Sequence, residues 1–225
     1  RFGGIGLYWG FLGVLLLLWW IPVEKQLIGL EYLPQNRLAG MCIGGLLAWG
    51  LGFADDVIDL RARWKLTGQI ILSVLAIGLG FEINTIQVPV LQIINLGSWS
   101  WPITILWIVG VINAINLIDG LDGLASGLVI IALACFGILC LWQGQYSLLI
   151  LIFVLVGVTL GFWLFNRPSA SIFMGDSGSM FLGYVMALLS IWVTDLPGRG
   201  PSALPLLILA VPILDTGFAF FRRFF

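Results

Sequence analysis

The sequence predicts an all-α, polytopic helical membrane protein, and its composition and hydropathy pattern carry that prediction. The chain has 225 residues, of which 60% are apolar and only 9% are charged, and its mean hydropathy is +1.10. Long runs such as residues 14–21 and 147–165 are too apolar for a helix in water, and a membrane span needs about 20 such residues. The net charge of -1 offers no basic footprint, so nucleic acid is excluded as a partner.

The apolar stretches predict eight spans separated by short polar breaks. These spans cover residues 3–21, 38–54, 66–81, 101–118, 123–142, 147–165, 177–194 and 203–221. Residues 82–100 are β-branched and partly alternating, with Pro89 and Gly97 as breakers, which predicts a short extracytoplasmic β-hairpin. No break is long enough for a soluble domain. We therefore expect residues 1–225 to form one integral-membrane domain. Because the chain does not begin with Met and stops straight after an apolar run, we expect it to be truncated at both ends.

The basic residues predict the orientation of the spans. With Arg1 on the inside, the inner breaks hold seven of the ten basic residues, and the positive-inside rule places those breaks in the cytoplasm. Six of the eleven acidic residues fall in three breaks, at residues 55–59, 113–123 and 173–179, and all three breaks lie on this same side. The sequence therefore predicts a site for chemistry at the cytoplasmic face of the inner (plasma) membrane.

The first break holds the adjacent carboxylates of Asp55 and Asp56. Two such neighbours repel each other, and the pKa of one rises unless a cation or a basic group lies nearby. Asp59 follows Asp56 by about one helical turn, so we expect it to share that helix face. The plainer alternative is a solvated helix end that carries a few acids.

The second break repeats polar residues every three positions, at Asn113, Asn116, Asp119 and Asp122. On a helix this spacing forms one polar stripe. Asparagines in such a stripe can serve as hydrogen-bonding contacts between helices, which is the structural alternative. Aspartates at membrane depth are costly and are usually functional, so we favour a functional stripe.

The third polar segment begins earlier, at Asn166, and continues through Phe173 to Asp176, which stands just before an apolar run. Asp176 and the serines after it could be no more than an N-cap and first turn of a helix. Lys65, nine positions after Asp56 and just before the next predicted span, could be a topology anchor or a contact for a phosphate. The chain has no histidine, so these oxygen ligands favour a hard cation, Mg²⁺ with Mn²⁺ as a substitute, and disfavour zinc.

The motifs resemble those of the polyprenyl-phosphate N-acetylhexosamine-1-phosphate transferase superfamily, glycosyltransferase family 4. The resemblance is carried by residues 52–56, 113–123 and 166–179, in this order and on one side of the membrane. The sequences of residues 113–125 and 173–183 are more similar to the undecaprenyl-phosphate GlcNAc-1-phosphate transferase branch than to the MurNAc-pentapeptide branch. Gly3 and Gly4 also resemble the family's early cytoplasmic glycine motif.

The resemblance implies transfer of a sugar 1-phosphate, most simply GlcNAc-1-phosphate, from a UDP-sugar to undecaprenyl phosphate in the bilayer. UMP would be released, Mg²⁺ would be required, and cell-envelope polysaccharide synthesis would begin with this step. Asp55, Asp56 and Lys65 would be catalytic, and Asp176 and Asn116 would bind the metal. Four further residues would line the nucleotide side, namely Asp119, Asp122, Asn166 and Phe173. Asp59 and Asn113 would complete the set of substrate-binding residues.

Three alternatives stay open at this point. A phospho-MurNAc-pentapeptide transferase would use the same chemistry on a different donor. An ion-coupled secondary transporter would place its acids near the bilayer midplane on broken helices, whereas these acids lie at span ends on one side. A catalytically inactive scaffold of the same fold is disfavoured, because Asp55, Asp56, Asn116 and Asp176 are all present. A homodimer is retained as a possible assembly.

Overall fold

The computed structural model describes residues 3–20, 33–87, 93–195, 204–209 and 213–214, and these residues form a bundle of helices. The helices, in chain order, are α1 (Gly3–Trp20), α2 (Gln35–Ile58), α3 (Ala62–Gly78), α4 (Ser100–Ile118), α5 (Leu124–Gln143), α6 (Tyr146–Asn166), α7 (Gly175–Thr194) and the short α8 (Leu204–Ile208). Glycines at positive φ end or begin several of them, as at Gly123 before α5 and Gly144 after it, because only glycine adopts that backbone conformation without strain.

Six helices in the described part of the chain are long and apolar enough to cross a membrane. They are α1, α2, α4 together with the 3₁₀ turn Gly97–Trp99 before it, α5, α6 and α7. The chain is therefore a polytopic helical membrane protein, as predicted. The predicted count of eight spans is not confirmed, because α3 has only 17 residues and the last predicted span, 203–221, lies mostly outside the described residues.

Two short strands follow α3 within the segment where a hairpin was predicted. Thr85–Gln87 (β1) pairs in antiparallel register with Ile93–Asn95 (β2), with Thr85 opposite Asn95. Residues 88–92, which connect them, lie outside the described residues. The hairpin and its side of the membrane therefore stay predictions.

Helix α7 forms the centre of the bundle. Every residue from Ser177 to Val193 is buried, and the helix packs against α1, α2 and α4. By contrast, only 33% of the residues in the span of α1 are buried, and its Trp20 side chain is 88% exposed. Exposed apolar side chains of this kind suit contact with lipid, so the outer helices surround α7 and shield it from the bilayer.

Small residues on α2 allow it to approach α7 closely. A Cβ atom at Gly52 would overlap the backbone of Asp176 and Ser177, and one at Gly44 would overlap the Tyr184 ring. Glycine at helix contacts is typical of membrane bundles. In lipid the hydrophobic effect does not drive helices together, so their association depends on close van der Waals packing, which small residues permit. The Gly52 contact brings the last turn of α2, with its two aspartates, against the first turn of α7.

Candidate functional site

The three acidic breaks meet at one end of the bundle, beside an open cleft of about 520 Å³. The end of α2, the start of α3, the end of α4 and the start of α7 all contribute polar side chains there. The cleft is lined by residues from these breaks: Asp56, Asn116, Leu117, Asp119, Gly120, Phe173, Gly175 and Asp176. The sequence predicted that the three breaks lie on one side of the membrane, and in the structure their residues line one cleft at one end of the bundle.

Four side chains form what we call the charged cluster: Asp55, Lys65, Asn116 and Asp176. The Lys65 ammonium lies 2.5 Å from Asp55 Oδ2 and 3.0 Å from Asp176 Oδ2. Asn116 Nδ2 donates to Asp176 Oδ1 at 2.8 Å and to Ser179 Oγ at 2.8 Å. The Asp55 side chain is only 4% exposed, whereas that of Asp176 is 33% exposed. Asp176 is therefore the carboxylate of the cluster that a ligand in the cleft can reach.

The adjacent aspartates of α2 have separate partners. Asp55 Oδ1 accepts a hydrogen bond from the Leu60 amide at 2.9 Å, while its other oxygen faces Lys65. Both oxygens of Asp56 accept backbone amides of α7, from Asp176 and Ser177, each at 3.0 Å. The first amides of a helix lack intrahelical partners and carry partial positive charge, so a carboxylate there is stabilising. Asp56 thus borders the cleft and also fixes the turn that carries Asp176.

The predicted helical face shared by Asp56 and Asp59 is wrong, because α2 ends at Ile58. Asp59 adopts a left-handed conformation with φ 50°, and its amide donates to the Asp55 carbonyl. Its side chain is exposed and does not line the cleft. The predicted stripe along α4 ends early for the same reason: the helix stops at Ile118. Asp119 lies in the turn after it and still lines the cleft.

Asn113 makes a contact between two helices. Its Nδ2 donates to Gln69 Oε1 on α3 at 2.7 Å and to the Val109 carbonyl at 2.8 Å. This is the contact that the structural alternative predicted for an asparagine in a span. Sequence reasoning missed Gln69, although a lone amide inside an apolar stretch, one turn after Lys65, would have pointed to it. Ser179, which accepts from Asn116, was also missed and was considered only as part of an N-cap.

Asn166 is buried and is fully engaged with neighbouring segments. Its Oδ1 accepts from the Gly123 amide at 3.2 Å and from the Ser126 hydroxyl at 3.0 Å. Its Nδ2 donates to the Ile172 carbonyl at 3.0 Å. The side chain therefore ties the end of α6 to the start of α5 and to the segment before α7, and it does not line the cleft.

Asp122 and Phe173 belong to the segments that Asn166 joins. Asp122 Oδ2 accepts the Ala170 amide at 3.2 Å, so it holds the loop after α6 from the other side. We call this group of contacts the loop clamp. It consists of Asn166 and Asp122 with the residues they bind, Gly123, Ser126, Ala170 and Ile172. The Phe173 side chain is 54% exposed and lines the cleft, while its carbonyl accepts the Gly3 amide at 3.0 Å. The amides of Gly3 and Gly4, which donate to the carbonyls of Phe173 and Met174, therefore attach the start of α1 to this wall of the cleft.

Asp119 has the most altered acidity among the cleft residues that lie outside the spans. The pKa of its carboxyl is raised to about 7, first by burial and then by the negative charges of Asp176 and Asp56, while a hydrogen bond from the Gly175 backbone opposes the shift. A carboxyl with a pKa near neutrality changes its charge close to working pH.

The cluster has oxygen donors that fit a hard divalent cation. In the described part of the chain, no group of three or more His, Cys, Asp or Glu residues could hold a metal ion by itself. Asp176 and Asn116 lie side by side, and a rotated Asn116 amide would present its carbonyl oxygen alongside the Asp176 carboxylate. Mg²⁺ is commonly held by one or two carboxylates together with phosphate oxygens of a substrate. These two residues fit that arrangement, in which a phosphate ligand completes the shell.

Comparison with known proteins gives matches over most of the chain. The profile of Glycosyl transferase family 4 matches residues 38–194. A protein of Bacillus subtilis (strain 168), named as a probable undecaprenyl-phosphate N-acetylglucosaminyl 1-phosphate transferase, is 40% identical over 196 residues, which cover 84% of this chain and 53% of that protein.

Relatives named as phospho-N-acetylmuramoyl-pentapeptide-transferases match the chain at similar sequence identity. A phospho-N-acetylmuramoyl-pentapeptide-transferase of Listeria monocytogenes (serovar 1/2a) is 40% identical over 157 residues, covering 64% of this chain and 48% of its own. One of Streptococcus equi subsp. equi is 37% identical over 181 residues, covering 72% and 52%. The chain thus spans about half the length of the curated relatives it matches.

Proposed function

The chain belongs to glycosyl transferase family 4, as its three motifs predicted, and we propose that it transfers a sugar 1-phosphate from a UDP-sugar to undecaprenyl phosphate. UMP is the other product. The observation that carries this proposal is the charged cluster at the edge of the cleft, where one ammonium lies between the carboxylates of two helices. Such a site suits phosphate groups on both substrates, because phosphoryl transfer depends mainly on positioning and charge stabilisation.

In this mechanism an oxygen of the lipid phosphate attacks the β-phosphorus of the UDP-sugar. The new P–O bond forms as the bond between the β-phosphorus and the bridging oxygen breaks, and UMP leaves with that oxygen. A phosphate monoester dianion is already a nucleophile, so no strong protein base is needed. Lys65 stabilises negative charge on the phosphates, Asp55 holds Lys65, and Asp56 holds the first turn of α7. A covalent aspartyl-phosphate on this cluster is the competing route.

A divalent cation, for which we propose Mg²⁺ with Mn²⁺ as a substitute, would be held by Asp176 and Asn116. When bound, it would neutralise charge on the diphosphate and stabilise the leaving UMP. Asp119 lines the same cleft and lies near the negative charges of Asp176 and Asp56. Phe173 offers an exposed ring on the cleft wall for an aromatic base.

For the donor we propose UDP-GlcNAc, and the initiation of cell-envelope polysaccharide synthesis as the role. This choice is supported by the Bacillus relative, whose match covers a larger share of this chain than the two matched pentapeptide transferases do. The second candidate is phospho-MurNAc-pentapeptide transfer, which the name and the 40% identity of the Listeria relative favour. The positive-inside distribution supports a site at the cytoplasmic face of the plasma membrane.

The test is UMP release by the purified protein in detergent with undecaprenyl phosphate, Mg²⁺ and a panel of UDP-sugars. We expect release with UDP-GlcNAc that requires both the lipid and the metal, and none above background in Asp176→Asn. A chelator should stop the reaction, and Mn²⁺ should restore it. Release only with UDP-MurNAc-pentapeptide would select the second candidate. Absence of release with every donor, from protein shown to be folded, would refute the transferase proposal.

A phospho-enzyme assay separates the two chemical routes. Incubation with UDP-sugar labelled at the β-phosphate, without lipid, should leave the protein unlabelled if attack is direct. Label retained on an aspartate would instead establish the covalent route.

A further inference from the structure

Gln69 lies on the same face of α3 as Lys65, one helical turn further into the bundle. Residues four apart on a helix are neighbours on its surface. The Gln69 side chain is buried, with only 1% exposed, although it is a polar amide. Buried amides in proteins have hydrogen-bond partners, and the identity of the partner shows which element they hold.

The partner of Gln69 is Asn113 on α4. Asn113 Nδ2 donates to Gln69 Oε1 at 2.7 Å, and Gln69 Nε2 returns a longer bond of 3.5 Å to Asn113 Oδ1. Asn113 precedes Asn116 by about one turn, and Asn116 contacts Asp176. The amide pair therefore joins α3 to α4 one turn away from the charged cluster on both helices.

Apolar packing alone sets the axial position of α3 poorly. Much of this helix faces outward, with Ile70, Ile71, Val74 and Leu75 exposed, so its lipid side gives no directional contact. The hydrogen bonds between the buried Gln69 and the half-buried Asn113 are directional, and a shift of the helix along its axis would break them. The long Lys65 side chain also has many rotamers, so its placement depends on where its backbone is held.

We propose that the Gln69–Asn113 amide pair is a positioning contact that sets the height of α3, so that the Lys65 ammonium lies between Asp55 and Asp176. Gln69 is a positioning residue and does not line the cleft. The proposal deepens the proposed function, since it assigns a residue that acts through Lys65. Its primary test does not depend on transferase activity.

The primary test is the acylation rate of Lys65 by a water-soluble amine reagent, measured by mass spectrometry on the full chain in detergent. The chain has only two lysines, so Lys25 provides an internal reference. Gln69→Met keeps the side-chain volume and removes the pair. We expect Lys65 to react roughly fivefold faster in this variant, because coupled contacts of this kind shift equilibria by several-fold.

Two further variants make the test specific. The exchange variant, Gln69→Asn together with Asn113→Gln, restores complementary amides and should return the Lys65 rate toward that of the wild type. Ser190→Ala removes a matched buried contact between helices, the hydrogen bond from Trp107 Nε1 at 2.9 Å, about 20 Å along α7 from Asp176 at a rise of 1.5 Å per residue. It should leave the Lys65 rate unchanged. Thermal unfolding of each variant verifies that it is folded.

The proposal is overturned if Lys65 reacts at the wild-type rate in folded Gln69→Met, if Ser190→Ala raises the rate equally, or if the exchange variant gives no recovery. The activity assay adds a second readout. In Gln69→Met, kcat should fall roughly tenfold while KM for the UDP-sugar stays within about twofold, as expected when an interaction acts on the reacting groups and not on donor binding. A wild type without transferase activity would refute the proposed function and would leave the labelling test intact.

Discussion

The charged cluster and the loop clamp lie at the same end of the bundle, and both are built from polar residues of the three acidic breaks. They differ in what their side chains are bound to. In the loop clamp, the buried Asn166 gives all of its polar groups to neighbouring segments. In the charged cluster, Asp176 and Lys65 pair with each other while 33% and 22% of their side chains stay exposed. An amide whose oxygen and nitrogen are both hydrogen-bonded within the protein stabilises the structure. In an accessible ion pair, by contrast, either group can exchange its partner for a charged ligand.

The largest expected effect is that of Lys65→Met, which breaks the charged cluster. We expect UMP release to fall by about 10³-fold, the order of loss seen when one charge-stabilising donor is removed from an active site. Asp55, only 4% exposed, would lose its cation. The stability cost should be about 2 kcal/mol, below that of a fully buried pair because Lys65 is partly exposed. Activity assays and thermal unfolding measure the two effects separately, and near-normal turnover would remove Lys65 from the mechanism.

Asn166→Ala should show the opposite balance. It removes a side chain that makes three hydrogen bonds, so we expect about 2 kcal/mol of destabilisation from the partners left unsatisfied. At a temperature where the variant is folded, UMP release should fall by less than about tenfold, because losses from indirect positioning are smaller than losses of reacting groups. If Asn166→Ala abolished turnover without lowering the unfolding midpoint, Asn166 would belong with the cleft residues after all.

Asp119→Asn should change how stability depends on pH. Because the folded-state pKa is raised from 3.8 to about 7, the folded protein retains the proton that the unfolded chain releases near pH 4. The stabilisation is present at low pH and is lost as pH rises from about 4 to 7. Asparagine resembles the protonated carboxyl and lacks this loss. With a chelator present, the variant should gain thermal stability over the wild type as pH increases from 5 to 8. A constant difference between the two proteins would contradict the raised pKa.

The smallest effect is expected for Asp122→Ala. Its exposed carboxylate accepts one backbone amide, that of Ala170, and such exposed contacts contribute about 0.5 kcal/mol or less. We expect little change in the unfolding midpoint and a small decrease in activity. Asp122→Asn, which keeps an acceptor oxygen, is the matched control. A large loss of activity in both variants would move Asp122 from the loop clamp to the substrate.

The outcomes for Asp55 and Asp56 show how far sequence reasoning reaches. Their adjacency raised the question of whether a basic group or a cation lies nearby, and in the structure the Lys65 ammonium pairs with Asp55. The bond of Asp56 to the amides of α7 was not predictable, because it depends on the close approach that Gly52 permits. The same holds for Asp59 and Asp119, since the helices that were expected to carry them end one residue earlier.

The sequence by itself determined the class of the protein, its family and the three segments that form the site. Hydropathy and charge have the length scale of a membrane span, and the motifs are contiguous, so both can be read along the chain. Only the tertiary structure decided which polar residues face the cleft and which hold the helices together. Asn113, Asn116 and Asn166 are the same residue type in similar motifs, yet they bind a helix, a carboxylate and a loop. Most of their partners lie between 40 and 63 positions away, and such distant contacts are set by packing.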